Sequence, residues 1–129
     1  MVGRILLLEP DAEIRTMVTR ILQRAGYEVV ATSGGVEAVR EYERRTFDLL
    51  IVDISIYGSV LEEGAHRGIG FLHFLERMHP AQLERLILTT ALPDRELPAD
   101  LPKARILRKP FDIDELLRAV GGVVQAGAA

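Results

Sequence analysis

The sequence predicts an α/β fold, a five-stranded parallel sheet with helices on both faces. Three observations carry that expectation. Short apolar runs of strand length alternate with segments whose apolar residues recur three and four positions apart. The run Leu49-Leu50-Ile51-Val52 is apolar throughout, as a strand must be when helices cover both its faces. Capping and turn residues separate the segments, and strands that alternate with helices imply right-handed parallel crossovers.

The first strand spans residues 4–9. Asp11 is then placed to cap a helix whose apolar positions are Ile14, Met17, Val18, Ile21, Leu22 and Ala25. Gly26 ends that helix, because a glycine past the last turn takes the left-handed conformation without penalty. Residues 27–31 form a short β-branched strand, followed by the turn Thr32-Ser33-Gly34-Gly35. Val36, Val39 and Tyr42 make a weaker helical stripe that runs out at Glu43-Arg44-Arg45. The third strand covers 48–53, and a loop from 54 to 67 follows, with Gly58 and Gly64 as breakers. Phe71, Leu72, Leu75 and Met78 mark the next helix, which Pro80 stops. Leu86–Thr90 and residues 104–108 are the last two strands. Asp112 and Glu115 stand at capping-box spacing before the stripe Ile113, Leu116, Leu117 and Val120. Gly121-Gly122 should weaken that helix, which sets the ordered core at about 1–122 and leaves 123–129 as a frayed tail.

With five strands, the expected order is 2-1-3-4-5, the flavodoxin-like arrangement, whose crevice lies at the C-terminal ends of strands one and three. Polar side chains stand at those ends. The first strand stops at Glu9, the third at Asp53, the fourth at Thr89-Thr90 and the fifth at Lys109-Pro110. Two carboxylates, a hydroxyl and an ammonium at one sheet edge are the make-up of a site for a divalent metal and a phosphoryl group.

Composition narrows the function classes. A chain of 129 residues is one ordinary domain, able to bury a core without cross-links. It has no cysteine, which excludes disulfides and thiolate chemistry. The net charge of −3 is spread over interspersed charges of both signs, so no dedicated nucleic-acid surface is expected. Arg44-Arg45 reads as a solvated helix end. His66, His73 and His79 have no ligand spacing. No apolar run approaches the roughly twenty residues of a membrane span, and the chain reads straight into a strand rather than a leader. The expectation is a single cytoplasmic domain over residues 1–129 with no membrane partner.

The segments "RILLLEPDAEIR", "FDLLIVDIS", "LILTTA" and "ILRKPFDIDEL" resemble the successive signatures of response-regulator receiver domains of two-component signalling, over essentially the whole chain. The resemblance implies that Asp53 is the phosphoacceptor, that Lys109 pairs with the phosphoryl oxygens and that Thr90 moves its hydroxyl to the phosphoryl group. It implies a Mg²⁺ cofactor held by Glu9, Asp53 and the backbone carbonyl of Ser55, with Asp11 as a further candidate ligand beside its capping role. It also implies a histidine kinase or phosphotransfer protein upstream, a protein effector downstream, and chemistry on the domain's own aspartate without turnover.

The sequence departs from the family pattern in three places. Pro10 stands where a second acid usually follows the first, which weakens the metal site. Gly68 falls later than usual and Ile56-Tyr57 replaces a common Met-Pro pair, so 59–66 reads as an insertion. Pro93, Pro98 and Pro102 should leave the fourth helix short, displaced or absent, and Ile106 replaces an aromatic residue linked to the usual switch. Two readings follow: a phosphoacceptor receiver, or a pseudo-receiver that serves as a phosphorylation-independent interaction module. A nucleotide-binding enzyme is disfavoured, because Glu9-Pro10-Asp11-Ala12 stands where a glycine-rich loop would.

Overall fold

Strands β1 (Arg4–Leu8), β2 (Glu28–Thr32), β3 (Leu49–Asp53), β4 (Leu86–Thr90) and β5 (Arg105–Arg108) build one parallel sheet in the order β2-β1-β3-β4-β5. The computed structural model describes residues 3–55 and 68–128. The expected loop at 54–67 lies mostly outside the described residues, and the expected insertion at 59–66 lies wholly outside them. Helices α1 (Ala12–Arg24), α2 (Gly35–Arg44), α3 (Gly68–Met78) and α4 (Ile113–Ala128) cover the sheet.

Strand alternation divides the core between the two faces. Leu6, Leu8, Leu50, Val52, Leu86 and Leu88 pack with Ala38 of α2 and with Phe71, Leu72 and Leu75 of α3. Ile5, Leu7, Leu49, Ile51, Ile87 and Leu107 point the other way and pack with Val18 and Leu22 of α1 and with Leu116, Ala119 and Val120 of α4. The central strand β3 is buried at all five positions, which explains its unbroken apolar run. Edge strand β5 buries only Leu107.

The caps act as the sequence suggests. Asp11 Oδ1 accepts from the Ile14 backbone N–H at 2.9 Å, and Asp112 Oδ1 accepts from that of Glu115 at 2.7 Å. Gly26 has φ +99°, and its N–H returns to the Gln23 carbonyl at 3.0 Å. Where a fourth crossover helix would stand, the described chain has the short 3-10 turn Asp94–Glu96 between β4 and β5, in line with the three prolines.

Several details differ from expectation. Strands two, three and five each begin one residue later. Asp48 lies just before β3, and its carboxylate accepts the Arg4 backbone N–H at 2.8 Å. Met17, Ala25, Val36, Met78 and Ile113, expected on buried faces, are exposed. Pro80 opens a 3-10 turn, Pro80–Glu84, after α3 has ended at Met78. Helix α4 does not stop at Gly121-Gly122 but continues to Ala128, and Val123 and Val124 pack against the core. The core boundary expected near 122 therefore moves outward. Packing of Val123 and Val124 against the core offsets the roughly 1 kcal/mol that each helical glycine costs. No helix among the described residues is long and apolar enough to cross a membrane.

Candidate functional site

The C-terminal ends of β1 and β3 and the residue after β5 bring three charged side chains together. Lys109 Nζ lies 2.5 Å from Glu9 Oε1 and pairs also with Asp53 Oδ2. Alternation along β1 and β3 puts Glu9 and Asp53 on the same face as Leu7 and Ile51. Glu9 and Asp53 are each 3% exposed. Burying two carboxylates together is costly unless a cation and hydrogen bonds compensate, and Lys109 supplies the cation.

Backbone donors position both acids. Asp53 Oδ1 accepts the Ser55 N–H at 2.7 Å, and Glu9 Oε2 accepts the Asp11 N–H at 3.1 Å. Lys109 is aligned by its own N–H, which donates to the Thr90 carbonyl at 2.8 Å, and the following Lys109–Pro110 peptide is cis. Burial raises the Glu9 carboxyl above its ordinary value and the Asp53 charge adds to this, although Lys109 and the Asp11 N–H pull the other way. Burial works against the Lys109 charge, but the pairs with Asp53 and Glu9 outweigh it and hold the ammonium above its usual range.

These residues open into a cleft of ≈ 580 Å³. Its floor is Glu9, Asp53, Ser55 and Lys109, and its rim includes Asp11 together with the largely apolar Pro10, Ile14, Met17, Pro110 and Phe111. Asp11 therefore sits at the rim while its carboxylate caps α1. Thr90 is not among the lining residues. It is fully buried on the other face of the sheet, and its hydroxyl accepts the Leu92 N–H at 2.9 Å.

Three contributions were not assigned to the site from the sequence. Arg15 donates to the carbonyls of Glu9 at 2.9 Å and Pro10 at 3.2 Å, bracing the turn where an acid is missing. Ser55 Oγ accepts the Ala91 N–H at 3.2 Å and ties the exits of β3 and β4 together. Gly68 packs so closely on β3 that a Cβ there would lie 1.9 Å from the Asp53 carbonyl oxygen. Each depends on residues far apart in sequence, or on a side chain turned back onto its own loop. Among the described residues no group of three or more His, Cys, Asp or Glu side chains gathers as a metal site.

The sequence profile described as the response regulator receiver domain matches residues 5–121. The chain belongs to this family. Receiver domains are signalling modules of two-component systems rather than turnover enzymes, and they work with histidine kinases and effector domains. This receiver is 30% identical to the response regulator receiver protein CpdR of Brucella abortus, covering 91% of this chain and 92% of CpdR. It is 31% identical to the chemotaxis protein CheY of Bacillus subtilis, covering 93% and 96% of the two chains. Among solved structures, the response regulator protein TrrA of Thermotoga maritima matches with a TM-score of 0.73 and 27% identity, over 93% of this receiver and 97% of TrrA. Longer relatives are covered in part, as with 52% of the transcriptional activator IrlR of Burkholderia pseudomallei.

Proposed function

We propose that this receiver accepts a phosphoryl group on Asp53 from a phosphohistidine donor and passes the change on to a protein effector. The observation that carries the reading is the Glu9–Lys109–Asp53 cluster at the floor of an open cleft. One Asp53 carboxylate oxygen attacks phosphorus, the P–N bond to the donor imidazole breaks, and that nitrogen keeps the electron pair and takes a proton. The Ser55 N–H holds Oδ1 of the nucleophile, and Lys109 offsets the repulsion between the carboxylate and the incoming anion.

The donor set fits Mg²⁺, which takes oxygen ligands, needs one or two carboxylates and keeps several waters. Glu9 and Asp53 would hold it with the Ser55 backbone carbonyl, and bound there it would neutralise phosphoryl charge. The missing acid at Pro10 lowers the expected affinity. The related TrrA structure is a complex with Mg²⁺ and BeF, which supports the same chemistry in a receiver of this size.

A pseudo-receiver remains the second reading, because Lys109 already pairs with both acids and Thr90 faces Leu92 rather than the cleft. Incubation with Mg²⁺ and acetyl phosphate separates the two. Intact mass should show one phosphoryl adduct on the native chain and none on Asp53→Asn. In parallel, NMR should show Mg²⁺-dependent shifts with beryllofluoride. Absence of both at millimolar metal would leave the interaction module as the function.

A further inference from the structure

Arg108 grips the segment that holds the Thr90 hydroxyl. Strand register sets Thr90 beside Arg108, and alternation turns the Arg108 side chain to the Thr90 face while Lys109 faces Asp53. The Arg108 guanidinium donates to the Leu92 carbonyl at 3.0 Å and pairs with Asp94 at the start of the 3-10 turn. Leu92 is thus held at both ends, its N–H by the Thr90 hydroxyl at 2.9 Å and its carbonyl by Arg108. No α-helix spans the described residues between β4 and β5, so this clasp is a direct polar tie between β5 and the exit of β4.

We propose that Arg108 is a positioning residue that biases the Thr90 hydroxyl toward Leu92 and away from Asp53, so that the clasp opposes occupation of the site. This rests on Asp53 being the phosphoryl site and goes beyond it, because it assigns a restraint to a residue outside the cleft. Moving the Thr90 hydroxyl toward Asp53 gives up its bond to the Leu92 N–H. The loop must then shift or leave that N–H unpaired, and Arg108 resists the shift by holding the carbonyl of the same residue. A contact made in one state and weakened in the other moves the population between them.

The test uses the full chain with Arg108→Gln and, as a second variant, Asp94→Asn. In the free protein, three-bond couplings at Thr90 report its χ1 rotamer. Both variants should redistribute that rotamer and speed amide exchange at Leu92. Unchanged couplings in a folded Arg108→Gln protein would overturn the proposal.

With Mg²⁺ and beryllofluoride, each variant should bind more tightly, by about fivefold for Arg108→Gln, the scale of one ordinary net hydrogen bond. In a Thr90→Val background, which lacks the hydroxyl, the gain should vanish. A gain that persists there, or no gain at all, would also overturn it. If the native chain binds no beryllofluoride, the phosphoacceptor reading falls, and the rotamer measurement still decides whether Arg108 controls Thr90.

Discussion

The proton affinity of Glu9 depends on burial and on Asp53, Lys109 and the Asp11 N–H. With burial as the largest cause, the folded carboxyl binds its proton more tightly than the unfolded one. Its contribution to stability is therefore fully present below the unfolded value of 4.5 and is lost as pH rises through the raised folded value. With metal chelated, the native chain should lose unfolding free energy relative to Glu9→Gln as pH rises from 4.5 to 7. Urea titrations of both proteins across that range check the sign, and a difference that grows in favour of the native chain would contradict it. Lys109, raised as well, places its corresponding loss above 10.5, outside that range.

At the scale of elements, α1 begins with a residue that had two candidate roles. Asp11 caps the helix through Ile14, while its own N–H holds Glu9. Asp11→Ala should cost about 1 kcal/mol by chemical denaturation, the usual loss for an N-cap, and Asp11→Asn should recover most of it. If the cap is its main role, the Mg²⁺ midpoint of Asp11→Asn followed by NMR should stay within about twofold of the native one, whereas Glu9→Ala should weaken it severalfold. A loss in Asp11→Asn as large as in Glu9→Ala would make Asp11 a ligand. The prolines between β4 and β5 were equally readable, since each removes a donor and fixes φ, and the described chain has a three-residue 3-10 turn there. The persistence of α4 past Gly121-Gly122 was not readable. Propensity is a local quantity, and contacts of Val123 and Val124 with the core override it.

At the scale of the whole molecule, the site depends on how closely the elements approach. Gly68 opens α3 against β3, where an added Cβ would also lie 3.0 Å from the Asp53 carbonyl carbon and 3.1 Å from Val52 Cγ1. Backbone cannot yield as a flexible side chain does, so Gly68→Ala should destabilise the fold by about 1–3 kcal/mol, as overpacking does. It should also displace the Asp53 amide resonance in NMR. Stability and spectrum both unchanged would mean that α3 moves freely over β3.

Strand-helix alternation and the residue types at the strand ends were legible in the chain because periodicity, caps and prolines act within a few residues, and the sheet order followed from the fold that such alternation favours. The tertiary structure decided which of those residues meet. It joined Glu9, Asp53 and Lys109 in one buried cluster and left Thr90 on the opposite face, bonded to Leu92. Distance, burial and charge interaction between segments 44 and 56 positions apart, Glu9 to Asp53 and Asp53 to Lys109, arise only when the sheet forms. Local pattern carries no term for them.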